Sequence, residues 1–169
     1  MVCYSSVIVN EEQLESNEAT AHAAAKLASP AAARNFMLAG KAIFTLVSQR
    51  TGTRYTFKVS HKAANDQYGE SWMVSYLTGP DNWSNYSYIG QIVNGPKGLF
   101  FRTTKASKLT MASAPVAGFN WAFSRINLGQ DTPNMEVWHA GKCGRCGRML
   151  TVPSSIEMGL GPECASKGF

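Results

Sequence analysis

Three cysteines near the end of the chain restrict its fold more than any other feature. Cys143 and Cys146 are spaced C-x2-C with a glycine after each, and Cys164 follows behind Gly161-Pro162. The C-x2-C spacing lets two sulfurs converge on one point, and the glycines let backbone N–H groups approach the thiolates. Cys164 lies at about the separation expected between the two halves of a small zinc site. His139, just before Cys143, is the fitting fourth donor. The spacing therefore predicts one tetrahedral zinc held by His139, Cys143, Cys146 and Cys164. Four protein ligands leave no position for water, so this zinc is expected to be structural. The alternatives are a C-x-x-C dithiol or unligated buried thiols. A thioredoxin-type dithiol belongs near a βαβ pattern, and none is visible.

The cysteine pattern also bears on the compartment. Zinc spacing plus a distant Cys3, read as an ordinary thiol, argues against a disulfide framework. The first residues show no basic stretch followed by an apolar run, so no secretory signal is expected. No apolar run is long enough to span a membrane, and a cytosolic protein is expected. With 169 residues, 44% of them hydrophobic, the chain has material for one domain, or one domain with a small metal module.

Charge is unevenly distributed. Residues 41–130 carry ten basic against three acidic side chains, a net +7. Residues 1–40 are net −2, and residues 131–169 balance at zero before any metal-bound thiolate is counted. A basic middle segment points to a polyanionic partner.

Read in order, residues 1–28 form a polar, acidic and alanine-rich arm with few anchors, expected to be flexible. Ser29-Pro30 reads as an N-cap followed by proline at the first helical position. β-Branched and aromatic runs at 42–48 and 54–60 flank a Gly52 turn, a strong hairpin signal. Further strands are expected at 72–77, 85–93 and 99–103. Val116, Phe119, Phe123 and Ile126 recur at helical spacing, which predicts an amphipathic helix over 114–127. The expected fold is α+β: a five-stranded antiparallel sheet, flanking helices and a C-terminal zinc knuckle. The expected organisation is an arm at 1–28, a basic domain at 29–130 and a zinc-binding module at 131–169.

Basic and aromatic residues interleave through the middle segment. Arg50, Arg54, Lys58, Arg102 and Lys105 supply cations, and Trp83, Tyr86 and Tyr88 supply rings outside the expected core. Single-stranded nucleic acid is bound by this combination, with cations on phosphates and rings under bases. Arg145 and Arg148 on the knuckle extend the candidate surface. Phe57, Trp72 and Phe119 are expected in the core instead. Catalysis has little support: His22 and His61 are isolated, and no phosphate-cradling loop, nucleophile elbow or HExxH motif occurs. The leading expectation is a non-enzymatic, zinc-stabilised protein that binds nucleic acid, with no membrane partner. The competing expectation is a protein-binding inhibitor or adaptor that blocks a bacterial host defence complex.

Residues 139–164 also resemble a recurring module of unknown function found in proteins of bacteriophages and of bacteria carrying mobile elements. The resemblance rests on Cys143-Gly-Arg-Cys146-Gly-Arg148, Leu150-Thr151-Val-Pro153, Ser155-Ile156 and Gly159-Leu-Gly161-Pro162-Glu-Cys164. Residues 39–103 resemble, more loosely, the segment found with this module in phage proteins. The resemblance implies a viral or mobile-element accessory protein in the bacterial host cytoplasm, and implies no particular activity.

Overall fold

The computed structural model describes residues 25–81 and 84–167. The chain enters at residues 25–28 and turns into helix α1, Pro30–Met37. The Ser29 hydroxyl accepts from the Ala32 N–H at 3.1 Å, so the expected cap is formed. Five strands follow: β1 (Lys41–Ser48), β2 (Arg54–Lys62), β3 (Ser71–Leu77), β4 (Tyr86–Gly95) and β5 (Gly98–Arg102). Helix α2, Ala114–Asn127, coincides with the amphipathic stretch. Then come β6 (Met135–His139) and two short helices, α3 (Pro153–Met158) and α4 (Pro162–Ser166).

The α+β class holds, with one correction. Among the described residues the sheet has six strands, in the order β5-β4-β3-β2-β1-β6, rather than five. The sixth is Met135–His139, which pairs antiparallel with β1 from Phe44↔His139 to Ser48↔Met135. Alone it is too short to stand out from a linker, and β1 supplies the pairing that makes it a strand. The chain around residue 26 then lies along the outer edge of β6. The Leu27 N–H donates to the Val137 carbonyl at 2.9 Å, and the His139 N–H to the Ala25 carbonyl at 3.0 Å. The boundary expected at residue 130 thus falls between α2 and a strand that completes the main sheet. Of the arm expected at 1–28, residues 1–24 lie outside the described residues.

One face of the sheet carries the core. Ala42, Phe44 and Leu46 of β1 alternate with outward residues, and Phe57 and Val59 do the same on β2. Both α1 and α2 pack on this side. Phe119 of α2 lies 5.1 Å from Phe57 and 5.0 Å from Phe101, centroid to centroid. Phe57, Trp72 and Phe119 are all buried, as their spacing predicts. Each large apolar side chain buried here contributes about 1.5–3 kcal/mol. No helix among the described residues is long and apolar enough to cross a membrane.

Phe36 joins the two ends of the molecule. Its ring is fully buried, edge-on to Phe44 at 6.4 Å and tilted on His139 at 5.5 Å. Gly144 and Gly159 of the cysteine region lie against it so closely that a Cβ at either would collide with the ring. The Gly144 carbonyl accepts from the Lys41 N–H at 2.5 Å, fixing the same contact through β1. Phe36→Ala should therefore lower stability by about 3–5 kcal/mol. It should also speed the reaction of Cys143 with a thiol reagent, both readable from urea melts and labelling rates. Normal protection of Cys143 in a destabilised Phe36→Ala chain would show that the cysteine region does not depend on this ring.

Candidate functional site

The cysteine region is built as a narrow turn. The Cys143 N–H donates to the Arg148 carbonyl at 2.8 Å, and the Leu150 N–H to the Gly141 carbonyl at 2.9 Å. Gly147, between these strands of the turn, has φ +79°, where a side chain would be strained. Further on, Gly159 at φ +69° ends α3, and Gly161-Pro162 starts α4. That second turn carries Cys164 back to the knuckle. The sulfurs of Cys143, Cys146 and Cys164 lie within 4.8 Å of one another. Three such ligands can hold a metal ion.

Their protonation fits a cation site. Burial pushes the Cys143 thiol up, but N–H groups of Gly161, Cys146 and Arg145 point at its sulfur and bring it down to about 7. Cys164 is pushed up to about 11 by burial and by the neighbouring Cys146 and Cys143 sulfurs. Thus one thiolate forms readily while the next meets like charge, which a bound cation relieves.

The fourth expected ligand, His139, lies outside the sulfur cluster in this structure. His139 is buried at the end of β6, and both ring nitrogens are engaged by backbone. Its Nδ1 accepts from the Gly141 N–H at 2.9 Å, so the ring proton is on Nε2, which donates to the Ile156 carbonyl at 2.6 Å. Burial lowers its pKa, the Ile156 carbonyl opposing. The imidazole is therefore a neutral brace between β6 and α3. Proximity in sequence suggested a ligand, whereas the strand pairing of β6 turns the ring into the core. Among the described residues the metal-ligand cluster consists of the three cysteines.

The other face of the sheet gathers much of the expected basic and aromatic set. Trp138 pairs with Thr45, Thr45 with Thr56, and Leu77 with Tyr86. The β2–β3 register, with Phe57 opposite Tyr76, sets Thr56 beside Leu77. One rung thus runs Trp138, Thr45, Thr56, Leu77, Tyr86 across five strands. Its ends are about 19 Å apart, at roughly 4.8 Å per strand. Small threonines in the middle, bonded to each other at 2.8 Å, and large rings at the ends make a trough. The cavity here measures about 610 Å³ and is lined by Ile43, Arg54, Tyr86, Trp138 and Lys142 among others. The Lys58 ammonium sits 5.6 Å from the centre of the Tyr86 ring. Tyr86 Oη is buried with no hydrogen-bond partner, and burial raises its pKa. At the margin, Glu136 accepts from Lys26 at 2.6 Å and from the Trp138 indole N–H at 3.0 Å. Chiefly because of Lys26, its carboxyl lies below the usual range.

Not all of the expected residues meet here. Arg54, Lys58, Tyr86 and Tyr88 share this face by register, and Arg102, opposite Gln91, continues it on β5. Arg50 is exposed in the β1–β2 turn, and Lys105 in the loop after β5. Arg145 faces elsewhere: it lines a cavity with Arg34, His61 and Trp72 and donates to the Cys164 carbonyl at 3.3 Å. Arg148 lies beside the cysteines. Trp83 lies outside the described residues. Trp138 was missed, because it belongs to a stretch read as metal module; Lys142, expected beside the knuckle arginines, lines the trough instead. The alternation of Met135–His139 was the available signal for Trp138.

Residues 137–167 match DUF6011, a family of unknown function. That segment runs from β6 through α4 and takes in His139 and the three clustered cysteines. No curated protein and no solved structure matches the chain.

The two roles separate by substitution. His139→Phe should keep metal stoichiometry while losing about 2–4 kcal/mol, because the Gly141 N–H and Ile156 carbonyl are left unpaired. Cys143→Ser should lose the metal itself. Elemental analysis and denaturant melts read both, and metal lost from His139→Phe would restore the imidazole as a ligand.

Proposed function

We propose that this chain is a non-enzymatic, zinc-stabilised protein that binds single-stranded nucleic acid in the trough between Trp138 and Tyr86. The observation behind the reading is the rung that sets rings at both ends of a threonine floor, with Arg54, Lys58 and Lys142 alongside. The width suits a single strand, whose phosphates meet the cations and whose bases stack on the outer rings. Neutralised by Lys26, Glu136 does little to repel the backbone.

Zinc suits the cysteine cluster because soft thiolates select it over hard cations. Cys143, Cys146 and Cys164 would hold it, and its role is to clamp the C-terminal turns against Phe36. Metal uptake must displace thiol protons. Affinity should therefore fall as pH is lowered from about 8 to about 5, which competition with a chromophoric chelator measures. A pH-independent affinity would exclude thiolate ligation.

Binding of random single-stranded DNA and RNA oligonucleotides tests the trough. With three cations on phosphates, the slope of log affinity against log salt should be about −2, at roughly 0.7 per contact. Lys58→Ala should reduce that slope by one contact, and Trp138→Ala should weaken binding by about 1–3 kcal/mol, equivalent to one stacked base. Absence of binding at low salt by a chain that melts normally would remove the reading. A protein-binding role, with a phage or mobile-element accessory protein acting on a host complex, is the second reading. Its structural support is the pair Phe100 and Leu128, exposed beside one cavity at the β5 edge. It predicts a captured protein complex that survives nuclease treatment.

A further inference from the structure

The cysteine cluster opens onto a cavity of its own. About 180 Å³ in volume, it is lined by Cys143, Cys146 and Cys164 together with Arg148, Leu150 and Val152. Cys143 is buried, Cys164 half-buried and Cys146 exposed, so the triangle of sulfurs has one side toward protein and one toward this space. A water molecule takes about 30 Å³ in the liquid. The cavity therefore has room for a small ligand in contact with an ion at the sulfurs.

The nearby imidazole is engaged elsewhere. Turning His139 onto the sulfurs would break its hydrogen bonds to Gly141 and Ile156 and leave two backbone groups unpaired. Zinc with three protein ligands takes its fourth from solvent or an incoming molecule.

We propose that the metal held by Cys143, Cys146 and Cys164 keeps an exchangeable fourth position facing this cavity, where an external thiolate replaces solvent. The proposal rests on the metal-binding reading above. The donor class follows from the surroundings. Three thiolates already make the site soft, Leu150 and Val152 give the cavity apolar walls, and the Arg148 cation offsets the added negative charge. On entry the thiol loses its proton to solvent, its sulfur bonds the metal and the bound water leaves, with no change in oxidation state. Glu163, also on the cavity wall, is the internal donor that would close the site instead.

Cobalt(II) substitution of the full chain tests this, because its visible bands report the donor set and its near-ultraviolet charge-transfer band counts thiolates. With a phosphine reductant present, the cobalt protein is titrated with β-mercaptoethanol. The expected result is a saturable shift of the visible bands. Charge-transfer intensity should grow by on the order of one third, one thiolate added to three. Arg148→Ala should weaken the apparent thiol affinity roughly two- to five-fold, as expected for an exposed charge, with the starting spectrum unchanged. A spectrum indifferent to thiol overturns the proposal but not the metal site. So does a starting spectrum that changes in Glu163→Gln, Cys3→Ser, His22→Gln or His139→Phe, since each would identify an internal fourth ligand. Failure of cobalt to bind while the thiols remain reduced overturns the metal reading, and this proposal with it.

Discussion

The packing of two glycines on one phenylalanine ring holds the architecture together. Phe36 comes from the first helix, whereas Gly144 and Gly159 come from the cysteine turns, and no side chain fits between them. The contact is rigid because its surroundings leave no slack. Phe44 closes the ring from the sheet, His139 from the sixth strand, and a backbone hydrogen bond ties Lys41 to Gly144. Interiors are close-packed, so a displacement at one partner is felt at the others. The geometry of the three sulfurs thereby depends on residues more than a hundred positions earlier in the chain.

This coupling changes what the cysteine region is. A closed four-ligand module would be self-contained, stabilised by its ion and merely attached to a domain. Here the imidazole that would have closed it is instead a hydrogen-bonded brace, and the last strand before the knuckle belongs to the main sheet. A metal held at the sulfurs and the sheet would then stabilise each other. The Ile156 carbonyl of α3 is hydrogen-bonded to His139 of β6, the strand that also carries Trp138 at one wall of the trough.

The two sides of the sheet divide the labour. Helices α1 and α2 cover one with an aromatic core, and the other collects cations, rings and a hydrogen-bonded pair of threonines. Period-two alternation produces this division, since each strand sends successive side chains to opposite faces. On β2 the same nine residues give Phe57 and Val59 to the core and Arg54, Thr56 and Lys58 to the other side.

Much of this was legible from local pattern. The Ser29 cap, the hairpin around Gly52, the helix at 114–127 and the core roles of Phe57, Trp72 and Phe119 follow from periodicity and turn chemistry within a short window. So does the convergence of three cysteines, because the C-x2-C spacing and the Gly-Pro turn before Cys164 are local instructions. What tertiary structure alone decided is relational. Met135–His139 is a strand because β1 offers an edge, and that register turns His139 inward, onto Phe36 and the backbone of Gly141 and Ile156. The same pairing brings Trp138 level with Tyr86 across four intervening strand spacings, a juxtaposition no window of sequence contains. Sequence sets which donors and rings the chain possesses; sheet register, fixed by burial of one face, sets which of them meet.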